Sequence, residues 1–289
     1  MAVSVSIVCH KTPYEQLNNA LNCLLRSRSI EAIYIVDNGP DDSLKKIENK
    51  SNLIQYHHID NKGYGNGHNM AIKEIIKNKE SEGADLMDHY HLVMNADVCW
   101  EGDVIEGLIK YMNEERNVGM VMPKVYYPDG VLQYTCRMLP NVIDVFLKRF
   151  LPEKLIKKRM ERYLLKEHDH NASINCPYLL GSFLFFRLGS LKDIGIFDER
   201  FFMYPEDIDI TRRMHERWRT MYWPGEKIIH AHAAASRKSF RMLMIHAVNM
   251  IKYFNKWGWI IDKKRVKYNR ILRENIKFLP KEKREKGRG

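Results

Sequence analysis

Cysteine is scarce in this chain, and the spacing that a thiol-based site would need is missing. Five cysteines occur in 289 residues, far apart and without a CxxC pair. Closely spaced pairs are typical of zinc sites and redox-active thiols, and disulfide-rich domains are typical of an oxidising compartment. We therefore predict unpaired structural thiols in a reducing cytoplasm, at Cys9, Cys23, Cys99, Cys136 and Cys176.

Long apolar runs are also absent from the sequence. No stretch approaches the roughly 18–20 uninterrupted apolar residues of a membrane span. The first residues, MAVSVSIVCHKTPYE, have no basic segment ahead of an apolar one, so we do not expect a signal peptide. The hydrophobic fraction of 45% is nevertheless that of a globular protein, and 289 residues are enough for one large domain or two small ones.

Positive charge is in excess but is confined to two segments. The net charge is +11. Residues 263–289 contain 12 Lys and Arg against 3 Asp and Glu, and residues 146–166 contain 8 against 2, so the rest of the chain is mildly acidic. A solvated surface is the ordinary meaning of such runs. The segment at 146–166, however, interleaves its cations with apolar side chains, as a helix on an anionic lipid surface does.

Short apolar runs alternate with amphipathic stretches through the first half of the chain. This alternation is typical of βαβ units and predicts an α/β fold, with a mostly parallel sheet that helices cover on both faces. The predicted strands are 3–9, 32–37, 53–58, 90–94 and 119–123, and the main predicted helices are 13–26, 66–77 and 102–115.

The pattern changes in the second half. A basic helical insertion is predicted at about 141–170, followed by a strand at 178–186. A helix should begin after Pro205, two short strands should follow it, and the tail should be helical. We therefore predict one domain over 1–235, which includes the insertion, and a basic helical appendage over 236–289.

Two aspartates stand where predicted strands end. Asp37 closes the second strand, and Asp97 follows the fourth in the segment HLVMNADV. Each could be a turn former, which is common for a single Asp after a strand. However, ligands bind outside the carboxyl ends of the strands in open α/β sheets, so their joint placement favours a binding site at that edge.

A glycine-rich turn, NKGYGNGHN at 61–69, leads into the helix predicted at 66–77. Glycine permits close approach of the backbone, and a helix N-terminus attracts anions, so the turn could contact a ligand. It matches a dinucleotide fingerprint poorly because it follows the third strand instead of the first. A plain turn is the alternative.

Carboxylates are densest in FDERFFMYPEDIDI, at 197–210. Glu206, Asp207 and Asp209 would follow Pro205 at a helix start, where negative charge is favourable. Stabilisation of the helix is one interpretation, with Asp209 paired to an arginine one turn later. A carboxylate that faces a cleft from a helix start is equally a candidate general base.

His230 and His232 lie two residues apart on a predicted strand or extended loop, and hence on one face. Two histidines alone make an incomplete zinc site, and burial as structural histidines is the alternative. Together with a strand-terminal aspartate, one histidine suits Mg²⁺ or Mn²⁺ that is shared with a diphosphate.

Nine motifs along the chain share an order and spacing that are highly specific, although several are weak individually. They are VSIVCHKT, IYIVDNGP, NKGYGNGHN, LVMNADV, YYPDGVLQ, GSFLFFR, GIFDERFFMYPEDIDITRR, YWPGEKIIHAHAAAS and SFRMLMIHAVNMIKYF. Over about residues 3–257 the sequence resembles glycosyltransferase family 2, inverting enzymes of the GT-A (Rossmann-like) fold, and within it the bacterial rhamnosyltransferase-like branch.

This resemblance implies a metal-assisted site. Asp97 stands at the DxD-type motif that binds the divalent ion, with Asn95 at its first position as an orienting group. His230 best fits the downstream metal-ligand histidine, and His232 is the alternate. The implied cofactor is Mn²⁺ or Mg²⁺, bound to the diphosphate of a nucleotide-sugar donor.

The resemblance also implies the base and the nucleotide contacts. Asp207 matches the catalytic base, with Glu206 beside it. Asp37, followed by Asn38, matches the contact to the nucleotide base. The residues of the glycine-rich turn expected near the nucleotide are Gly63, Tyr64, Gly65 and Asn69.

By the same resemblance, the expected reaction is an inverting transfer from dTDP-L-rhamnose to a hydroxyl of a surface polysaccharide, often carried on a polyprenyl diphosphate. UDP-linked galactosyl, galactofuranosyl or glucosyl donors are the alternative. We expect a cytoplasmic enzyme, peripheral on the inner face of the plasma membrane through the basic segment. The C-terminal helix could pack on the body of the protein or form a homodimer.

Three other functions compete with this interpretation. A nucleotidyltransferase would need a glycine-rich, basic loop after the first strand, which CHKTPYEQ lacks. A nucleic-acid-binding protein is disfavoured because the basic tail has few aromatics and the main body is acidic. A catalytically silent sugar-nucleotide-binding partner is disfavoured because Asp97, Asp207 and His230 are all present.

Overall fold

The computed structural model describes residues 2–145, 152–231 and 240–278. The strands are β1 Val3–Cys9, β2 Ile30–Asp37, β3 Ile54–His58, β4 Tyr90–Met94, β5 Val98–Cys99, β6 Val118–Tyr126, β7 Cys136–Arg137, β8 Ile174–Asn175, β9 Tyr178–Leu179, β10 Phe183–Arg187 and β11 Arg219–His230. The α-helices are α1 Tyr14–Leu24, α2 Tyr64–Ser81, α3 Val104–Glu114, α4 Glu153–Tyr163, α5 Leu188–Ile194, α6 Glu206–His215, α7 Phe240–Trp257 and α8 Lys263–Glu274.

The larger of two sheets has the strand order β3-β2-β1-β4-β10-β6-β11-β5, with β8 added on β11, and β7 and β9 form a separate antiparallel pair. The strands from β3 to β4 are parallel to one another, as are β6 and β11. β10 lies antiparallel between β4 and β6. All five residues of β10, FLFFR, are buried, so its sequence pattern does not indicate whether the strand is parallel or antiparallel to its neighbours. The predicted α/β class is confirmed.

Both faces of the central strands are covered, as predicted. All five residues of β4 and of β10 are buried. Because successive side chains of a strand point to opposite faces, both sides of the sheet must be packed against other elements. Ser4 and Ser6 of β1 are buried as well. Their hydroxyl groups are satisfied by the ring of His91 in β4, with Nδ1 2.7 Å from Ser4 Oγ and Nε2 2.9 Å from Ser6 Oγ.

The two short strands predicted after the acidic cluster are one irregular strand, β11. Its pairing with β6 jumps from Trp223 to Lys227, so the three residues between them loop out of the ladder. Pro224 is the reason on the sequence side, because proline has no N–H to donate to a neighbouring strand.

The C-terminal helices pack on the element that carries the acidic cluster. Arg212 of α6 makes two hydrogen bonds of 2.7 Å to Asp262 at the start of α8, and the pair is buried. The guanidinium of Arg212 also lies 4.0 Å from the ring centre of Trp257 in α7. A second small core forms here, from Leu139, Tyr178, Phe201, Ile208, Met250, Tyr253 and Phe254.

Within the described ranges, no helix combines the length and the apolar character needed to cross a bilayer. Part of the predicted basic insertion, 146–151, lies outside those ranges, as do His232 and the end of the tail. The rest of the insertion contains α4, which is helical as predicted.

Candidate active site

Polar side chains gather at the carboxyl edge of the sheet. β2 ends with Asp37, β4 is followed by Asn95 and Asp97, and β11 ends with His230. β11 has the same direction as β4, because β10 is antiparallel to both β4 and β6 while β6 is parallel to β11. The topology therefore brings together residues that are far apart in the sequence.

Asp97 and His230 come into contact beside β5, a strand of only two residues. β5 pairs with the end of β11 and sets His230 opposite Val98. His230 Nε2 then lies 3.3 Å from Asp97 Oδ1. The side chain of Asn95 also approaches, with Nδ2 3.5 Å from the same ring nitrogen. The imidazole is buried, whereas 14% of the Asp97 side chain is exposed, so a ligand can reach the carboxylate.

Gln133 determines which ring nitrogen of His230 carries the proton. Gln133 Nε2 donates to the backbone oxygen of His230 at 2.7 Å, and because that oxygen can only accept, the orientation of the amide is fixed. Gln133 Oε1 therefore accepts the proton of His230 Nδ1, at 2.9 Å. Nε2, which faces Asp97, is therefore the ring nitrogen that is available to bind a metal ion. This arrangement is typical of a histidine that binds a metal ion.

Glu206 and Asp207 begin α6 and are buried side by side. Asp207 Oδ2 accepts from the backbone N–H of Gly181 at 2.9 Å, and Oδ1 accepts from that of Ile208 at 2.7 Å. Burial raises the pKa of Asp207 to about 6, although these hydrogen bonds oppose the rise. Burial, and then the charge of Asp207, raise the pKa of Glu206 to about 8. At neutral pH the proton therefore resides on Glu206, and Asp207 is an unusually basic carboxylate.

The backbone of Gly181 and the side chain of Tyr64 connect Glu206 and Asp207, the acid pair, to the residues at the strand ends. The backbone oxygen of Gly181, whose N–H binds Asp207, accepts from Tyr64 Oη at 3.1 Å. The same hydroxyl lies 2.8 Å from Asn95 Oδ1. Burial, with the charge of nearby carboxylates, raises the pKa of Tyr64 well above its ordinary value, so the hydroxyl remains a donor. The single proton of this hydroxyl is shared between the two acceptors, so a chain of polar contacts runs from Asp207 to Asn95, beside Asp97 and His230.

The profile of Glycosyl transferase family 2 matches residues 4–195, a span that runs from β1 through α5 and includes Asp37 and Asp97. The chain belongs to this family. It is a glycosyltransferase, and the acid pair and His230 follow the matched span.

Relatives and solved structures agree with this membership. The N-acetylglucosaminyl-diphospho-decaprenol L-rhamnosyltransferase of Mycobacterium tuberculosis is 26% identical over 222 residues, which are 72% of this chain and 72% of that protein. Rhamnosyltransferase WbbL of Escherichia coli K12 is 26% identical over 237 residues, 72% of this chain and 85% of that protein. The mannosyltransferase PcManGT of Pyrobaculum calidifontis, solved with GDP-Man and Mn²⁺, shares the fold with a TM-score of 0.54 at 14% identity, over 88% of this chain and 63% of that chain. The GT-A fold is confirmed.

The glycines of the turn before α2 serve close packing in this glycosyltransferase. Gly63 has a φ of +108°, and a Cβ there would collide with the backbone oxygen of Phe202. A Cβ on Gly65 would lie 2.9 Å from Phe197 Cβ. The turn is thereby pressed against the loop that leads to the acid pair, and Tyr64 is carried between the two groups of the site.

Asn69 also binds that loop. Its Nδ2 donates to the backbone oxygen of Phe197 and to Glu199, both at 2.9 Å, and its Oδ1 accepts from the N–H of Phe197 at 2.9 Å. The side chain is 1% exposed. Its amide group is thus engaged in supporting the loop, which gives Asn69 a structural role beside the predicted nucleotide contact.

Asp37 and Asn38 lie at the carboxyl end of β2, two strands away from β4 along the same edge of the sheet. Asp37 accepts from the N–H of Gly39 and from Tyr56 Oη, both at 2.8 Å. Asn38 Oδ1 is buried and has no hydrogen-bond partner among the described residues. An unsatisfied buried acceptor is unfavourable, so this oxygen would be stabilised by a donor group of a ligand.

Two contacts that support the candidate site do not follow from the sequence. Gln133 lies in a quoted motif, but nothing in its spacing points to His230. Gly181 acts through its backbone, which leaves no mark on the sequence. Asp209 has two interpretations on sequence grounds, and it binds Arg213 Nε at 2.8 Å and Trp257 Nε1 at 2.8 Å, which supports the structural one.

Proposed function

We propose that this enzyme transfers L-rhamnose from dTDP-L-rhamnose, with inversion at the anomeric carbon, to a hydroxyl of a surface polysaccharide or lipid-linked oligosaccharide. Both relatives are named rhamnosyltransferases, and the mycobacterial name specifies an acceptor on decaprenol diphosphate. The observation that carries the proposal is the chain of polar contacts from Asp207 to the Asp97–His230 pair. UDP-linked sugars are the second donor class.

Asp97 and His230 suit Mn²⁺ or Mg²⁺ when it is shared with a diphosphate. The described residues contain no group of three or more His, Cys, Asp or Glu able to hold an ion alone. Two protein ligands leave the remaining coordination positions to phosphate oxygens and water, as is common for Mg²⁺ bound with a substrate phosphate. An ion bound there would neutralise charge that develops on the departing nucleoside diphosphate.

Asp207 is the proposed general base. It takes the proton of the acceptor hydroxyl while that oxygen attacks the anomeric carbon and the bond from this carbon to the diphosphate breaks. The N–H groups of Gly181 and Ile208 orient the carboxylate, and burial strengthens it as a base. Glu206, protonated at neutral pH, adds no second negative charge. One displacement with one base inverts the configuration.

The nucleoside is proposed to lie at Asp37 and Asn38, where a donor group of the ligand would satisfy the buried Asn38 Oδ1. Tyr64 and Asn95 would then lie beside the diphosphate, close to Asp97. We further propose a cytoplasmic enzyme that works peripherally at the inner face of the plasma membrane, because a polyprenyl-linked acceptor is available there.

Titration calorimetry tests the donor site. dTDP and UDP are titrated, each with and without Mn²⁺, into wild type and Asp97→Ala. We expect metal-dependent binding of dTDP that the substitution abolishes, followed by transfer from dTDP-L-rhamnose. Tighter binding of UDP would overturn the rhamnose donor, and absence of binding by either nucleotide would overturn the proposed function.

A further inference from the structure

Exposed apolar side chains are concentrated at the C-terminal end of the described chain. Thirteen large hydrophobic residues are exposed in the described ranges, and ten of these lie within 240–278. A soluble surface ordinarily carries such residues singly, so their concentration marks a contact surface. The ten are Phe240, Met244, Val248, Ile251, Trp259, Ile260, Ile261, Val266, Ile271 and Phe278.

Four of them form a stripe along α7. Phe240, Met244, Val248 and Ile251 recur at intervals of four, four and three residues, which is the spacing of one helical face. The buried face of α7 uses other positions, Asn249, Met250, Tyr253 and Phe254.

The stripe leads into a short loop between α7 and α8. Trp259 Nε1 donates to Asn255 Oδ1 at 2.8 Å, which holds the indole against the end of α7. Ile260 and Ile261 follow, with 86% and 80% of their surface exposed. We call residues 259–261 the apolar tip. Two adjacent isoleucines at this exposure contribute nothing to the packing of the domain.

Positive charge surrounds the apolar surface. Residues 240–278 contain 10 Lys and Arg against 2 Asp and Glu. Some of these cations are paired with acids of neighbouring elements, namely Lys256 with Asp198 and Asp209, Lys264 with Glu216 and Arg273 with Glu167. One of the two acids, Asp262, is already paired with Arg212 in the interior. Lys263, Lys264 and Lys267 are exposed just beyond the tip. Apolar side chains in a rim of lysine are complementary to anionic lipid, whereas a second copy would bring like charges together.

We propose that the stripe on α7, the apolar tip and the lysines at the start of α8 bind the surface of an anionic bilayer, with Ile260 and Ile261 inserted among the headgroups. This differs from the sequence prediction, which assigned membrane binding to the basic segment at 146–166. Binding through this surface does not depend on which sugar is transferred.

The same helix contacts the loop that precedes the acid pair. Asn249 Oδ1 accepts from the N–H of Phe202 at 3.3 Å, and the rings of Tyr204 and His246 are 5.1 Å apart. Bilayer binding through α7 would therefore hold Glu206 and Asp207 near the membrane. This consequence rests on the proposed function, because it matters only for a lipid-linked acceptor.

Vesicle flotation of the full chain tests the proposal. The vesicles are phosphatidylcholine alone or with about a third phosphatidylglycerol, at physiological and high salt. The tip variant is Ile260→Ser with Ile261→Ser, and the charge variant is Lys263→Gln with Lys267→Gln, which leaves the Lys264–Glu216 ion pair intact. The apolar control is Val131→Ser, another exposed residue, and the α4 control is Lys154→Gln, Leu155→Ser and Lys158→Gln.

We expect wild type to float with anionic vesicles only and to be released by salt. The tip and charge variants should each bind at least about tenfold more weakly, while both controls bind like wild type. Unchanged flotation of the tip variant, loss of binding in the α4 control, or a stable dimer that the tip substitutions dissociate would overturn the proposal. Nucleotide binding, measured in parallel by calorimetry, should be equal in all variants, so failure of the donor site is recognised separately.

Discussion

The two halves of the candidate active site are held in different ways. Around His230 and Asp97, the supporting contacts are hydrogen bonds between side chains. Gln133 binds one ring nitrogen of His230, and Tyr64 binds Asn95. Around Asp207, the two short hydrogen bonds to the carboxylate come from backbone N–H groups, and the one side-chain donor, Tyr178 Oη, lies farther away at 3.5 Å. A side-chain contact is lost by one substitution that leaves the backbone in place, whereas a backbone donor moves only when the path of the chain changes. The half around His230 and Asp97, which is proposed to hold the metal, should therefore be the easier one to weaken selectively.

Asp207→Asn should have the largest effect on transfer. The amide has the shape of the carboxylate but cannot take the proton of the acceptor hydroxyl, and a general base contributes about 10²–10⁴-fold. We expect kcat to fall by that factor, while metal-dependent nucleotide binding measured by calorimetry stays unchanged. A variant with more than a tenth of wild-type kcat would remove Asp207 from the role of base.

Gln133→Met should weaken the metal half without touching the base. The variant keeps the volume but leaves His230 Nδ1 without its acceptor, so the Nε2 lone pair is no longer held toward Asp97. Mn²⁺ affinity in the presence of nucleotide should fall by about 10–100-fold. Saturating Mn²⁺ should restore kcat, which loss of folding would not allow. Equal Mn²⁺ affinity in variant and wild type would contradict the assigned role.

Gly181→Ala should disturb the acid half through the backbone. A Cβ at this position would lie 2.9 Å from Asp207 Cβ, so the carboxylate or the peptide must move. Misplacement of the base should lower kcat by about tenfold or more, with nucleotide binding preserved. Gly107→Ala in α3 is the matched control, because the atoms nearest to its added Cβ belong to the flexible side chain of Glu226. A wild-type rate in Gly181→Ala would mean that the contact has no catalytic importance.

Glu206→Gln should have the smallest effect, because the glutamine resembles the protonated acid. Near pH 7 the rate should change by less than about tenfold. The kcat/KM of both proteins should rise with pH through about 6, since Asp207 must lose its proton to act as the base. Ionisation of Glu206 above about pH 8 should alter the wild-type profile alone. Identical profiles on the alkaline side would show that Glu206 does not titrate there.

Most strands and helices in the first half of the chain can be predicted from the periodicity of apolar residues in the sequence. The predicted strand at 3–9 is β1, and the helix predicted at 66–77 is the inner part of α2. Two features did not follow from it. The direction of β10 depends on its neighbours, since a fully buried strand has the same pattern in either orientation. Ser4 and Ser6 suggest a polar face, but they meet His91 in the interior.

The candidate site is only partly predictable in the same way. The residues proposed for catalysis carry chemically distinctive side chains, so Asp97, Glu206, Asp207 and His230 stand out in the sequence alone. The residues that position these side chains do not stand out. Nothing in the sequence around Gln133 shows that it contacts His230 in the folded protein. Gly181 acts through its backbone N–H, a group that every residue except proline has.

The sequence by itself determined the α/β class, the family and the reactive side chains, because periodicity, motif order and functional groups are local properties. Only the tertiary structure decided what holds those side chains and which surface is left apolar. Hydrogen bonds such as Gln133–His230 span 97 positions of sequence. Likewise, the exposure of Ile260 and Ile261 is settled by how α7 and α8 pack on α6, since an isoleucine is equally apolar whether it is buried or not.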